Sequence, residues 1–317
     1  MCFAGLQGMI DSMLEACDYS PLSVRAPSAD LSKLNADAWS ELARLITLVE
    51  SAKLDDGDTS RAQELLPKLR EPATKNIPVL GITGTGGAGK STLTDELVRR
   101  YVQDFPEARV AVLSVDPTRK RTGGALLGDR IRMNSLAGGD ASRVYMRSLA
   151  TRGSGQEVSE ALDDAIAICK LAGFDLIVAE TSGIGQADSA ICDSADLAMY
   201  VMTPEFGAQS QLEKIEMLDL ADLVVVNKFD RPGADDALRD VRKAYQREQQ
   251  RFDESPDAMP VYAAMASQFN DRGVNQVYGA LLSLLAERCG HASEGRYTAE
   301  LPQGLPDRRH IIPPERV

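Results

Sequence analysis

The sequence VLGITGTGGAGKST occupies residues 79–92 and places an apolar run directly before a glycine-rich loop. The run Val79–Thr83 predicts a buried strand, and the G-x-x-x-x-G-K-S pattern that follows is the P-loop signature of nucleoside triphosphate binding. Its glycines permit a tight turn that points backbone amides and the positive end of the next helix at phosphate oxygens. In this pattern Lys90 reaches the β- and γ-phosphates, and the Ser91 hydroxyl binds Mg²⁺. The predicted nucleotide-binding residues of the loop are Gly84, Gly86, Gly87, Ala88, Gly89, Lys90, Ser91 and Thr92.

Compact apolar runs alternate with helical stretches from residue 77 to about residue 288. This alternation predicts an α/β fold with a doubly wound, mostly parallel sheet of the P-loop NTPase type. A further short strand is expected at 143–146. The longer runs are Val110–Val115, Leu176–Ala179, Leu197–Met202 and Leu223–Val226.

The two flanks of this region have a different character. Leu42 and Ile46 lie at helix spacing among polar residues and predict peripheral helices, whereas four prolines after residue 300 predict an extended segment. We therefore expect a helical N-terminal extension over residues 1–75, a P-loop GTPase domain over 76–290 and an extended C-terminal linker over 291–317.

The 317-residue chain carries a formal net charge of -12. Nucleic acids and anionic membranes attract basic surfaces, so we expect neither as a partner. The five cysteines form no C-x-x-C pair, which argues against a disulfide framework or a zinc site. No apolar run approaches the roughly 18 residues of a membrane span. These features predict a cytoplasmic protein.

A second nucleotide motif, Asn227-Lys228-Phe229-Asp230, directly follows the apolar run Leu223–Val226. The carboxyl end of a strand is where a doubly wound sheet binds ligands. A carboxylate at Asp230 can accept from both the ring N–H and the exocyclic amine of guanine, a donor pair that adenine lacks. We expect Lys228 to lie along the base, Asn227 to join this loop to the P-loop, and the backbone near Ala263 to face the guanine carbonyl.

Three acidic residues are candidates for organising Mg²⁺ with Ser91. Asp116 and Glu180 end apolar runs, and Asp129 lies in a glycine-rich loop. Mg²⁺ prefers octahedral oxygen ligands and keeps several waters, so one or two carboxylates suffice, acting directly or through water.

The segment Glu180-Thr181-Ser182-Gly183 stands where many regulatory GTPases carry Asp-x-x-Gly, whose glycine amide senses the γ-phosphate. No glutamine directly follows Gly183, and Gln186 comes three residues later, so the usual water-positioning residue is missing from its place. We expect slow intrinsic hydrolysis that a partner or an arginine accelerates. Arg132 is the expected arginine, because it is close in sequence to Asp129. The predicted catalytic residues are Lys90, Arg132 and Glu180.

The motifs at 84–92, 115–130, 180–186 and 227–230 together resemble one family. They are similar in order and context to the MeaB/ArgK-type P-loop GTPases, which act as chaperones of adenosylcobalamin-dependent acyl-CoA mutases. The resemblance covers roughly residues 77–290. It is strongest to members in which the chaperone and an isobutyryl-CoA mutase share one polypeptide.

This resemblance implies a chaperone that uses GTP and Mg²⁺ to gate the loading, protection and release of adenosylcobalamin in partner mutase domains. A member of this family could also form a homodimer. The resemblance further implies a segment that couples nucleotide state to the partner, and the coupling residues are Gly183, Gln186 and Lys214.

Three other functions stay open at this stage. A metal-insertion GTPase would share the P-loop and the Glu-containing switch, but it needs clustered soft ligands. A small-molecule kinase would suit a P-loop with a basic lid, although the Asn227–Asp230 motif speaks against it. A nucleotide-free interaction domain would leave both motifs without a use.

Overall fold

The central feature of the protein is a parallel β-sheet. The computed structural model describes residues 5–19, 22, 26–28, 30–53, 59–69, 76–116, 133–136, 141–151, 161–181, 189–207, 212–213, 215–291, 295 and 305. Within these ranges the sheet has seven strands, each pairing in parallel with its neighbours. The strands are β1 (Val79–Gly84), β2 (Val110–Asp116), β3 (Val144–Ala150), β4 (Leu176–Thr181), β5 (Leu197–Met202), β6 (Leu223–Val226) and β7 (Val261–Ala263).

The strand order is β3-β2-β4-β1-β5-β6-β7. From β1 the chain leads to β2 on one side of the sheet, whereas β5, β6 and β7 extend it on the other side. In an open α/β sheet, ligands bind at the carboxyl ends of the strands where such connections diverge. The P-loop follows β1 directly, so it lies at that point.

Helices cover both faces of the sheet, as the alternating sequence pattern predicts. The α-helices of the described ranges are α1 (Leu6–Cys17), α2 (Trp39–Ser51), α3 (Thr59–Leu69), α4 (Lys90–Asp104), α5 (Leu162–Ala172), α6 (Ala190–Ser194), α7 (Met217–Leu220), α8 (Ala234–Glu248) and α9 (Arg272–Cys289), of which α1 does not cover the sheet.

The two faces of the sheet bury different helices. On one face α4 and α9 form a cluster with alternate strand residues such as Leu80 and Val112. On the other face α2, α3 and α5 pack over β2, β3 and β4, while α7 and α8 pack over β5, β6 and β7. Because strands buried on both faces are apolar at every position, the runs read from the sequence match the observed strands closely.

The N-terminal helices α2 and α3 are part of this core. Leu42, Leu45 and Ile46 are fully buried and share a cluster with residues of β2 and α5. Arg147 of β3 also pairs with Glu50 of α2 at 2.5 Å. The helices are predicted correctly from the sequence, but they cover the sheet instead of lying at its periphery.

Helix α1 is built differently. In the described part of the chain it buries no side chain, and Leu6, Met9 and Met13 are each more than 60% exposed. These residues recur at helix spacing and form one apolar face.

None of the helices in the described ranges has both the length and the apolar character needed to cross a membrane.

Replacing Leu45 with alanine tests whether α2 belongs to the folding unit. A buried Leu→Ala change removes apolar contacts and leaves a cavity, so we expect it to lower the free energy of unfolding by about 2–5 kcal/mol. Leu6→Ala, in an exposed leucine of α1, is the matched control and should cost less than about 0.5 kcal/mol. Urea unfolding followed by circular dichroism measures both. Equal, small losses for the two variants would show that α2 is not part of the core.

Candidate active site

The P-loop is shaped by a close contact between β1 and β5. Gly84 has a φ of +144°, and a Cβ there would lie 1.8 Å from the carbonyl oxygen of Val201. The next residue, Thr85, donates its backbone N–H to the same oxygen at 3.0 Å. Only glycine fits this position. The loop then ends at Gly89, whose φ of +87° turns the chain into α4.

Lys90 is the first residue of α4, and its side chain folds back over the loop. It is only 6% exposed, and its Nζ donates to the carbonyl oxygens of Gly84 at 3.0 Å and Thr85 at 3.2 Å. The ammonium group is therefore held inside the turn, beside the positive end of the helix. An anion in the loop would be attracted by both the ammonium group and the positive end of the helix dipole.

Glu180 is the second-last residue of β4, lies next to the start of α4 and is 4% exposed. Its Oε1 accepts from the Ser91 hydroxyl at 2.7 Å, and its Oε2 accepts from the Thr94 hydroxyl at 2.9 Å. The motifs of the sequence point to Ser91 and Glu180 but not to Thr94. The available signal was its spacing, because a residue three positions after Ser91 lies on the same face of a helix.

Asp116 ends β2 on the neighbouring strand and is also buried. The preceding residue Val115 pairs with Thr181, the residue after Glu180, so the two carboxylates lie at the same edge of adjacent strands. No group of three or more His, Cys, Asp or Glu side chains that could hold a metal ion occurs within the described ranges.

Asn227 connects the base motif to the P-loop. Its Nδ2 donates to the Ala88 carbonyl at 2.8 Å, while its Oδ1 accepts from the backbone N–H of Ala266 at 3.0 Å. Lys228 adopts a positive φ of 56°, and its Nζ donates to the Gly87 carbonyl at 2.7 Å. The two predicted motifs, far apart in sequence, thus form one site.

Asp230 lies in a turn and is exposed, whereas the neighbouring Phe229 is buried and holds the turn in place. The Phe229 N–H donates to the Ala264 carbonyl at 3.1 Å, and the Ala264 N–H donates to Val226 at 3.0 Å. The predicted contact residue Ala263 lies at the end of β7, directly before this anchor.

Asp271 is a further residue of the site that sequence reasoning missed. It is buried, and its Oδ1 accepts from the backbone N–H groups of Met265 at 3.0 Å and Val274 at 2.9 Å. It therefore fixes the loop after β7 to the start of α9. An aspartate before a helix is a recognisable N-cap, but the contact with Met265 depends on the folded loop.

Beyond β5, Pro204–Phe206 form a short 3₁₀ turn. Glu205 in this turn forms an ion pair with Arg231, the residue after Asp230. Hydrogen bonding from Thr203, with a smaller effect of Arg231, lowers the pKa of Glu205 to about 2. The turn is therefore attached to the base motif by a pair that is charged at neutral pH.

Five predicted site residues lie outside the described residues, so the geometry bears on none of them. They are Asp129, Arg132, Gly183, Gln186 and Lys214.

A family model described as methylmalonyl-CoA mutase-associated GTPase MeaB matches residues 42–294 of the chain. The protein belongs to the MeaB family of GTPases. The match begins within α2, in agreement with the burial of that helix.

Among curated relatives of this MeaB-family GTPase, a fused isobutyryl-CoA mutase of Geobacillus kaustophilus is 51% identical over 98% of the chain. A fused isobutyryl-CoA mutase of Cupriavidus metallidurans is 52% identical over 90% of the chain. The chain spans only 28% and 25% of these two proteins.

Two further matches extend over most of both proteins. A protein of Pyrococcus abyssi, provisionally named as a GTPase, is 37% identical over 80% of this chain and 75% of its own length. A crystal structure described as LAO/AO transport system kinase superposes with a TM-score of 0.57 at 24% identity and covers 80% of this chain and 73% of its own. The structural match shows a shared fold.

Replacing Gly84 with alanine tests the shape of the P-loop. The added Cβ would collide with the Val201 carbonyl, so the loop must open, and we expect affinity for GDP to fall by at least about tenfold, or about 1.4 kcal/mol. Gly279→Ala in α9 is the control, because a Cβ there meets no described atom within 4 Å. Isothermal titration calorimetry measures both variants. Unchanged GDP affinity in Gly84→Ala would contradict the close contact.

Proposed function

We propose that this MeaB-family GTPase binds GTP with Mg²⁺ and uses its hydrolysis to gate adenosylcobalamin loading, protection and release in an acyl-CoA mutase, namely an isobutyryl-CoA mutase. The observation that carries the nucleotide part is the bridge made by Asn227 between Ala88 and Ala266. This bridge supports a single site that has the phosphate loop at one end and the exposed Asp230 carboxylate at the other.

In this proposal Asp230 selects guanine. Its two oxygens can accept from the ring N–H and the exocyclic amine, and its exposure leaves them open to a ligand. The stem of Lys228, whose Nζ contacts Gly87, would cover one side of the base. Ala263 is the residue before the anchored Ala264. In this proposal its backbone would face the carbonyl edge of guanine.

Lys90 would hold the β- and γ-phosphates, with backbone amides from Gly86 to Thr92 around them. The Ser91 hydroxyl and the Glu180 and Asp116 carboxylates supply oxygen donors of the type that Mg²⁺ prefers. Such a donor set fits the ion without a cluster of three acids, because Mg²⁺ in nucleotide sites keeps waters and phosphate oxygens as ligands. When bound, Mg²⁺ would neutralise phosphate charge during hydrolysis.

Catalysis in the proposal belongs to Lys90, Glu180 and Arg132. Glu180 is held by the Ser91 and Thr94 hydroxyls, which fixes its position relative to the phosphate loop. Arg132 would supply positive charge to the transition state, and Asp129 would help to organise Mg²⁺. Without a glutamine directly after Gly183, intrinsic hydrolysis would be slow.

The partner proposal is supported by the relatives. Fused isobutyryl-CoA mutases are about half identical to this chain and extend far beyond the region that it matches. Gly183, Gln186 and Lys214 would couple nucleotide state to the mutase. The ion pair between Glu205 and Arg231 supports a link between the base motif and the turn that precedes Lys214 in sequence.

We also propose a revised domain division and a location. Burial of α2 and α3 against the sheet supports a GTPase domain that starts near residue 36 instead of residue 76 and ends near residue 290, before a linker at 291–317.

The described cysteines are free thiols, which supports a reducing cytoplasm. A homodimer, and the absence of nucleic acid and membrane partners, remain expectations from charge and family.

Exchange of Asp230 for asparagine tests base selection. The amide keeps the size but offers one donor and one acceptor, which no longer match guanine and instead match xanthine, where a carbonyl replaces the amine. Losing a charge-assisted pair should lower affinity for GTP by about 1.5–3 kcal/mol, with affinity for xanthosine triphosphate rising.

Phosphate release from GTP, ATP and xanthosine triphosphate measures this preference, with Lys90→Ala as the inactive control. Wild-type protein should use GTP and not ATP. Equal use of ATP, or an Asp230→Asn variant that still prefers GTP, would contradict guanine selection by Asp230.

A separate experiment tests the partner. The GTPase is mixed with an adenosylcobalamin-dependent isobutyryl-CoA mutase that lacks its own GTPase region, and GTP hydrolysis and cofactor loading are followed. We expect the mutase to raise the hydrolysis rate by at least about tenfold, since partners in trans commonly accelerate slow GTPases by larger factors. If the mutase neither binds the chain nor changes its rate, the chaperone proposal fails while the GTPase assignment stands.

A further inference from the structure

Asp95 lies one helical turn after Ser91 on α4, and its side chain is buried. Its Oδ1 accepts from the backbone N–H of Ser135 at 2.7 Å. Its Oδ2 accepts from the backbone N–H of Asn134 at 2.9 Å and from the Asn134 side-chain amide at 3.2 Å. A buried carboxylate is tolerated when its oxygens find donors, so these bonds fix the 3₁₀ turn Asn134–Leu136 to the P-loop helix.

Apolar contacts strengthen the same attachment. Met133 is only 4% exposed and belongs to the core cluster that contains Leu93 and Leu97 of α4. The turn is therefore held by both a buried side chain and a buried carboxylate. In the sequence, Arg132 directly precedes Met133, and Asp129 lies four residues before it.

Two successive residues of α4 thus hold different parts of the site. Thr94 donates to Glu180 at 2.9 Å, and Asp95 accepts from the turn after residue 132. Both lie within the first two turns of the helix whose start carries Lys90 and Ser91. A shift of this helix relative to β4 would change the hydrogen bonds of both Thr94 and Asp95.

We propose that Asp95 is a positioning residue for GTP hydrolysis, which acts by fixing Asn134 and Ser135 to the P-loop helix. It touches neither the nucleotide loop nor the base motif in the contacts described above. Asn134 and Ser135 follow Arg132 by two and three residues in the sequence, and this short separation links the anchor to the segment that contains Asp129 and Arg132. This proposal rests on the proposed function, since it requires GTP hydrolysis and a role for that segment.

Asp95→Asn is the direct test. The amide keeps the size of the side chain but turns one acceptor into a donor that faces backbone N–H groups, so the attachment weakens. We expect kcat for GTP to fall by about 10- to 100-fold, as for other small misplacements of catalytic groups. Because Lys90 and Asp230 are untouched, the Kd for GDP should stay within about twofold. Amide hydrogen exchange in a peptide containing residues 133–136 should become faster.

Asp104→Asn is the matched control on the same helix. Asp104 is buried and accepts from the Tyr278 hydroxyl at 2.8 Å, at the end of α4 that points away from the P-loop. The Asp104→Asn change should lower the free energy of unfolding without changing kcat or amide hydrogen exchange at residues 133–136. Asn134→Ala removes one of the three bonds to Asp95 and leaves both backbone bonds, so kcat should fall by only about two- to threefold, the lower end of the range for one hydrogen bond.

The outcomes separate this proposal from the proposed function. If Asp95→Asn keeps the wild-type kcat, or if kcat and GDP affinity fall together in both aspartate variants, Asp95 has no positioning role. If the wild-type chain hydrolyses no GTP, the proposed function fails and the role of Asp95 in hydrolysis fails with it. Exchange at Asn134 and Ser135 would then still report whether the anchor itself exists.

Discussion

The site depends on one side chain, the amide of Asn227. Its nitrogen bonds to the P-loop at Ala88 and its oxygen bonds to the loop after β7 at Ala266. A carboxamide can serve both because it offers a donor and an acceptor on one rigid plane. The contact is also so close that a Cβ at Gly89 would lie 2.6 Å from the Asn227 nitrogen. The last glycine of the P-loop is therefore required by the base motif as well as by the phosphate turn.

Glu180 plays a comparable part on the other side of the P-loop. Both of its oxygens are used by hydroxyls of α4, at Ser91 and Thr94, and its strand lies between β2 and β1. The start of the P-loop helix and the end of β4 are thus joined through a pair of hydrogen bonds of ordinary length.

Most of the fold could be predicted from the sequence, because strands buried on both faces leave uninterrupted apolar runs. Strand β3 is longer than predicted: Arg147 and Ser148 interrupt its apolar pattern, and Arg147 is accommodated by the Glu50 carboxylate and the Thr47 hydroxyl of α2. The P-loop and the Asn227–Asp230 motif could be read from the sequence because each is a short contiguous pattern. Thr94 and the Ala266 amide were not, since their partners Glu180 and Asn227 are distant in sequence and only the folded sheet brings them together. The contact of Asp271 with Met265 spans only six residues, but it depends on the conformation of the loop between them.

The same limit explains α2. Periodicity identified an amphipathic helix, but it does not say which surface that helix covers. Leu42, Leu45 and Ile46 are buried against β2 and α5. The unit of this GTPase that can fold when it is moved between genes therefore includes residues before its first strand. A recombination event that moved only the region from β1 onward into another polypeptide would transfer a sheet without the two helices that cover β2, β3 and β4 beside α5. A working fusion of such a module would therefore be joined ahead of α2.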